Sequence, residues 1–350
     1  HRNDINEGLL AVIGNDKNGE HILLDLNEKK DGPHGLVAGM TGSGKSELII
    51  TMLLSIALNY SYEDVNFALI DFKGGGTSNA LKSLPHICGT LSNLDTKHMK
   101  RALVSFQNEC IERQKNIQNM NERSVHPITD ITSYRKHLPQ FCDLPKLADL
   151  VIVVDEFAEL KKEVPEFMQE IISVSQVGRS LGVHLLLSTQ KPAGTVDDRI
   201  FSNTGFRLCL KVADRQDSMD MLKRPEAAYL TGSGRCYLQA GNQEVFELFQ
   251  TGYGGESYEE TARKQAQAMM VTETGKRIRK REGQRKAAET QLQAVIRYIR
   301  DVTERKKIMG SCQLWMPELP DKVDLLELQS LQRAEKKESG QEWRKGKGKA

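Results

Sequence analysis

The sequence predicts an α/β fold: a mostly parallel sheet with antiparallel additions, followed by a helical connector. Three observations carry this prediction. Apolar, strand-like runs alternate with helical runs over the first 255 residues, the pattern of a sheet with crossover helices. Residues 35–46 read Gly-Leu-Val-Ala-Gly-Met-Thr-Gly-Ser-Gly-Lys-Ser, a short strand entering a complete phosphate-binding loop. A second apolar strand, Leu150–Val154, ends in Asp155-Glu156, the acidic partner that such a loop requires.

In chain order, residues 9–14 and 21–26 are two apolar runs joined by Asn15-Asp16-Lys17-Asn18-Gly19, which predicts a β-hairpin. The Leu36-Val37-Ala38 strand leads through the loop into an apolar helix covering Leu48 to Leu58. Residues 65–72 form the next β-rich run. Residues 97–119 predict a long amphipathic helix with Ala102, Val104, Phe106, Cys110 and Ile117 available to the core. After Leu150–Val154, Pro165 opens a helix running to about Ser180. Strands follow at 184–187 and 206–212, then a short helix at 214–222. Residues 234–239 and 244–249 flank Gly241-Asn242 and predict a second hairpin.

Composition changes after Gly254-Gly255. Residues 261–310 carry 14 Lys+Arg against 5 Asp+Glu and are expected to be helical, with an apolar face at Leu292, Val295, Ile296, Tyr298, Ile299 and Val302. Residues 311–328, with Pro317 and Pro320, are expected to be extended. The predicted organisation is a nucleotide-binding domain over 1–255, a basic connector over 256–330 and a disordered tail over 331–350.

The whole chain has 350 residues and a net charge of +2, so no global field points to nucleic acid. The six cysteines contain no C-x-x-C pair, a pattern of reduced thiols and neither a disulfide framework nor a zinc site. No apolar run reaches membrane-spanning length, and a first residue of His is expected of a piece of a longer protein.

The candidate chemistry starts at the loop. Gly39, Gly42 and Gly44 permit tight turns, so that Met40, Thr41, Ser43 and their neighbours can turn backbone N–H groups toward an anion. The following helix adds its dipole. Lys45 is placed to reach the β- and γ-phosphates of ATP, and the Ser46 hydroxyl to ligate Mg²⁺. Asp155 is the second candidate Mg²⁺ ligand, and Glu156 the candidate general base or water-positioning group. The alternative is an acid-rich helix start after a core strand.

Thr189 and Gln190 end the strand at 184–187, at the sheet edge where ligands bind in parallel α/β folds. Gln190 is a candidate for hydrogen bonding to the γ-phosphate or the lytic water; the alternative is a structural amide. Asp71 and Lys73, before Gly74-Gly75-Gly76, are accessory candidates or a solvated ion pair. Arg179 and Arg207 are candidates for an arginine offered in trans to a neighbour's site; the alternative for each is a structural or interface role. His34 and His184 read as strand-start residues.

These motifs resemble the FtsK/SpoIIIE motor ATPases, in the variant found in type VII secretion (the EccC/EssC family). The resemblance covers residues 8–255 and is carried by the stretches from His34 to Glu47, Asp71 to Gly75, Leu84-Pro85-His86, Asp155 to Leu160, Gly178 to His184 and Thr189-Gln190-Lys191-Pro192. It implies a RecA-like P-loop fold and hydrolysis of ATP with Mg²⁺, with Glu47 in the nucleotide-binding set. It also implies a cytosolic module in a tandem series at the cytoplasmic face of a bacterial membrane, tethered by segments outside this chain. Such proteins form hexamers and export WXG100-type proteins. Residues 285–328, with Trp315–Pro320, resemble the connector to a following module, and the early hairpin and His34 fit the first ATPase domain of the series best. Two other readings stay open. A DNA translocase of the same group would use the basic stretch, although no winged-helix tail is visible. A nucleotide-binding scaffold would keep the loop with little turnover.

Overall fold

The computed structural model describes residues 3–71, 76–92, 96–196, 198–241, 244–258, 270–271, 277–278, 289–305 and 313–315. Its frame is a ten-stranded sheet. The first hairpin is β1 (Leu10–Asn15) and β2 (His21–Asp25). The loop strand is β3 (Gly35–Ala38), followed by α1 (Lys45–Asn59). Then come β4 (Val65–Asp71), α2 (Gly76–Leu81), β5 (Ile87–Ser92), α3 (Thr96–Arg123) and α4 (Ile131–His137). Next are β6 (Asp149–Asp155), α5 (Phe157–Glu163), α6 (Pro165–Leu181) and β7 (Val183–Thr189). α7 (Asp198–Asn203), β8 (Phe206–Leu210) and α8 (Arg215–Leu222) lead to the hairpin β9 (Arg235–Ala240) and β10 (Val245–Thr251).

The strand order is β2-β1-β10-β9-β8-β3-β7-β6-β4-β5. From β8 to β5 all pairings are parallel; from β8 to β2 all are antiparallel. Both predicted hairpins are present, and β1 pairs with β10 to join them into one extension of the parallel sheet. Because strand side chains alternate between faces, the sheet feeds two cores. Leu36, Ile152, Val154, Leu185 and Leu187 pack with α3, α5 and α6 on one face. Val37, Val151, Val153, Leu186 and Leu208 pack with α1 on the other.

α1 forms because its apolar residues fall at helical spacing. Leu48, Ile49, Met52, Leu53, Ile56 and Ala57 are all buried, a broad stripe against the sheet. The helix stops at Tyr60, whose backbone turns extended. The Tyr60 hydroxyl donates to the Gly8 carbonyl at 2.8 Å and accepts the Leu10 N–H at 3.0 Å. Ser55 Oγ accepts the Val12 N–H at 2.8 Å. The helix that follows the loop therefore also carries the first hairpin.

The long helix is present, and Ala102, Phe106 and Ile117 are buried on it as expected. Cys110 is only partly buried, and Val104 is corrected: it is 52% exposed. The buried face runs through 102, 106, 113, 117 and 120, and 104 falls off that stripe. The expectation of a helical 261–310 is corrected in part. Met270–Val271 pairs antiparallel with Arg277–Ile278 as β11 and β12. The second half is helical as expected, as α9 (Gln291–Arg305), and Ile296 and Ile299 pack into the α1 core; Tyr298 is corrected, since it is exposed and lies off that buried face. Of 311–328 only residues 313–315 are described; Trp315 meets Phe106 edge-on at 5.5 Å. The expected tail, 331–350, lies outside the described residues, as does Asn242. No helix among the described residues is long and apolar enough to cross a membrane.

Two buried polar clusters lie away from the loop. Arg135 and Asp149 pair at 3.0 Å, with His184 Nε2 3.6 Å from the same carboxylate. Burial opposes ionisation of Asp149, but Arg135 and His184 outweigh it and hold its pKa well below the usual carboxylate range. His86 stacks on Phe67 and its Nε2 lies 2.9 Å from the Tyr60 carbonyl. Burial lowers the His86 pKa from 6.5 to about 4, against the opposing carbonyl contact.

Between those two values the unfolded chain binds the proton that the folded chain refuses. Folding stability is therefore full above about pH 6.5 and falls as pH drops toward 4. The gap corresponds to on the order of 3 kcal/mol. Urea unfolding of the parent is expected to show this acid-side decline, and His86→Asn to flatten it. An equal slope in both proteins would remove His86 as the cause.

Candidate functional site

The loop strand β3 lies between β8 and β7, and β6 is the next strand along. Register pairs Ala38 with Thr189 and Asp155 with Ser188. The carboxyl end of β7 therefore stands between the phosphate loop and the acidic pair.

The loop itself is held open by backbone conformation. Gly42 has φ +79° and Gly44 φ +99°, values that suit glycine. A Cβ on Gly39 would lie 2.5 Å from Ser43 Oγ, so the first glycine allows the loop to fold over itself. Four backbone bonds fix it. Gly39 N donates to the Thr189 carbonyl at 3.2 Å, Met40 N to Lys211 O at 2.8 Å, Ser43 N to Met40 O at 3.1 Å and Gly234 N to Ser43 O at 2.7 Å. Met40, Thr41, Gly42 and Ser46 are exposed, whereas Ser43 and Lys45 are buried.

Lys45 points across the sheet end. Its Nζ lies 2.6 Å from Asp155 Oδ1 and 2.8 Å from Ser188 Oγ, and Ser188 Oγ donates to the same Asp155 oxygen at 2.6 Å. Glu156 follows in a left-handed conformation, φ 62° and ψ 57°, at the start of α5. That geometry costs a non-glycine residue about 1–3 kcal/mol unless its surroundings enforce it. Here the carboxylate is gripped: Thr189 Oγ1 donates to Glu156 Oε1 at 2.9 Å, and the Gln190 N–H lies 3.3 and 3.2 Å from its two oxygens. The Gln190 side chain in turn accepts from Thr41 Oγ1 at 3.1 Å.

The structure thus brings together Thr41, Lys45, Asp155, Glu156 and Gln190 from the sequence-derived set. Asp71 is buried at the end of β4, in register with Asp155. Glu47 lies in the first turn of α1, and its buried Oε2 makes no hydrogen bond. Lys73 lies outside the described residues.

The two arginines lie elsewhere. Arg179 is in the last turn of α6, before β7 begins, so it sits at the opposite sheet edge from the loop; its Nη2 donates to Asn203 at 3.2 Å. Arg207 lies on β8. It is 6% exposed, its guanidinium contacts Gln239, Phe201 and Thr204 of its own chain, and it lies 3.7 Å over the Phe201 ring. Burial lowers its pKa to about 10, which leaves it charged at neutral pH.

Sequence reasoning missed Ser188, which contacts both Lys45 and Asp155. The available signal was a small hydroxyl residue directly after the apolar run 184–187. It also missed the Gly232-Ser233-Gly234 turn, where both glycines have positive φ and the last bonds the loop.

The residues present fit a nucleotide with magnesium. The glycine cradle has no room for side chains at Gly39, and the buried Ser43 Oγ has no hydrogen-bond partner. Ser46 and Asp155 offer hard oxygen ligands. No group of three or more metal-ligating side chains occurs among the described residues. Magnesium does not require one, because it commonly takes one or two protein oxygens together with phosphate oxygens.

The chain is 43% identical over 332 residues to the type VII secretion system protein EssC of Staphylococcus aureus, covering 91% of this chain and 22% of that protein. It is 39% identical over 324 residues to the ESX secretion system protein YukB of Bacillus subtilis, covering 91% of this chain and 21% of that protein. It therefore spans about a fifth of these relatives' length. The cytoplasmic domain of the Thermomonospora curvata type VII secretion ATPase EccC superposes with a TM-score of 0.72 at 28% identity, covering 90% of this chain and 33% of that one. The fold is that of the RecA-like P-loop ATPases. A model of the FtsK/SpoIIIE family matches residues 3–194, more than half of the sequence, and the chain belongs to that family.

Proposed function

We propose that this chain binds ATP with Mg²⁺ between the Gly39–Ser46 loop and Asp155-Glu156 and hydrolyses it as one motor module of a type VII secretion ATPase. One observation carries this reading: Lys45, Ser188 and Asp155 meet at the carboxyl ends of β6 and β7, with Glu156 next in the chain and held by Thr189, beside a loop whose glycines fit an anion.

In this reading Lys45 trades its bond to Asp155 for the β- and γ-phosphates, placing a positive charge where negative charge is transferred. Ser46 and Asp155 would hold the magnesium ion, which supplies charge neutralisation at the phosphates. Glu156 orients the attacking water and takes up its proton as the bond between the γ-phosphorus and the bridging oxygen breaks. Gln190, tied to Thr41, sits where the loop meets the acidic pair. The set Gly39 to Glu47 lines the nucleotide, with Asp71 and Lys73 as accessory groups. Arg179 and Arg207 stay the two candidates for a trans arginine.

The wider assignment rests on the type VII secretion relatives. It places residues 1–255 as the ATPase domain, 256–330 as a connector to a further module, and the assembly as a hexamer. That assembly would stand at the cytoplasmic face of the membrane and export WXG100-type proteins. The excess of positive charge in 261–310 favours a second reading, DNA translocation, which predicts salt-sensitive stimulation by duplex DNA.

The test is steady-state phosphate release by the chain alone, with duplex DNA, and with a WXG100-type dimer. Turnover unaffected by DNA and raised by the dimer is expected. Stimulation by DNA alone would move the assignment to the second reading, and nucleotide binding without turnover would make the chain a scaffold.

A further inference from the structure

Thr189 occupies a position that nucleotide binding by itself does not require. Its carbonyl accepts the Gly39 N–H at 3.2 Å, at the first residue of the phosphate loop. Its hydroxyl donates to Glu156 Oε1 at 2.9 Å. Its side chain is buried, as is Glu156. One residue thus touches the loop with its backbone and the acidic residue with its side chain.

Glu156 needs such a contact. It is one of two non-glycine residues with positive φ among the described residues, the other being Lys223 in the left-handed cap after α8. A left-handed residue at the β6–α5 junction relaxes to ordinary helical or extended backbone unless something outweighs the strain. Relaxation would swing the carboxylate away from the Thr189 hydroxyl and the Gln190 N–H. The Thr189 hydroxyl and the Gln190 N–H both bind the carboxylate in its strained position. A hydrogen bond to a charged acceptor is among the stronger ones, and fixing Oε1 fixes the plane of the whole carboxylate. The direction in which Glu156 presents its lone pairs is then set from β7.

We propose that Thr189 is a positioning residue: its hydroxyl holds Glu156 in the strained, water-orienting conformation and couples that conformation to the phosphate loop. This rests on the ATP-hydrolysing reading above. The hydroxyl touches neither substrate nor metal in this assignment, so its removal should leave binding intact and slow the chemical step. Misplacing a reacting group by about 1 Å costs on the order of 100-fold in rate.

The test compares Thr189→Val, which keeps shape and loses the hydroxyl, with Thr189→Ser, which keeps the hydroxyl. For Thr189→Val, kcat is expected to fall about 10- to 100-fold, with KM and the Kd of a non-hydrolysed ATP analogue within about twofold of the parent. Thr189→Ser should restore most of kcat. In a Glu156→Gln background, Thr189→Val should add little further loss, because both changes act through one group. Thr189→Ala, which removes the hydroxyl without introducing a second methyl, serves if the valine variant does not fold. Should both hydroxyl-free variants fail to fold while serine folds, Thr189 is structural and the proposal is overturned. Parent-like kcat in a folded Thr189→Val, or additive losses in the double variant, overturns it as well. Absence of turnover in the parent would instead sink the ATP-hydrolysis reading, and this proposal with it.

Discussion

Lys45→Ala is expected to raise the Kd for ATP by about 30- to 700-fold, the equivalent of about 2–4 kcal/mol. Two effects oppose one another in that figure. Lys45 is already paired with Asp155 at 2.6 Å in a largely buried setting, so binding phosphate sacrifices that contact. In the proposed assignment the sacrifice is offset because Asp155 would gain a metal in exchange and would keep the Ser188 hydroxyl, now at 2.6 Å. What Lys45 would gain is a polyanion at the N-terminus of α1, and that term is expected to win. Fluorescent-nucleotide titration measures it, and an unchanged Kd would refute the placement of phosphates at this loop. The variant should also lose stability, because Asp155 is left buried with one partner fewer; a melting curve separates this from the binding defect.

Glu156→Gln is expected to keep ATP affinity and lower kcat by about 10²- to 10⁴-fold, the range that a general base supplies. The amide can still accept from the Thr189 hydroxyl, so the strained backbone keeps an anchor. It cannot take a proton. Loss of kcat with retained binding therefore reports chemistry and not collapse of the site. Parent-like turnover would remove Glu156 from the mechanism and leave it as a helix-start acid.

Much of the site was legible because its requirements are local. A glycine at 42 or 44 is written into the sequence by the positive φ that the turn demands. The strand before the loop and the helix after it follow from runs and spacing of apolar residues. Asp155-Glu156 was legible as the polar end of an apolar strand. Less was legible at the periphery. The edge strand β5 is six residues long and contains a glycine at 89 that leaves room for Trp315, from which a Cβ would stand 2.5 Å. No periodicity over six residues announces such a contact. Val104 was misplaced because a helix of 28 residues offers several apolar residues, and only packing against α6 and the sheet selects the buried stripe.

The sequence by itself determined the strand–loop–helix unit, the acidic strand end and the alternation that makes a parallel sheet, since backbone preference and burial period are properties of neighbouring residues. The tertiary structure alone decided that β7 lies between β3 and β6, and with it the meeting of Lys45 with Ser188, 143 positions away, and of Glu156 with Thr189, 33 positions away. It also decided that Arg207 is buried on Phe201. Strand order is settled by the packing of whole faces against α1, α3 and α6, and no stretch of residues short enough to read as a motif contains that information.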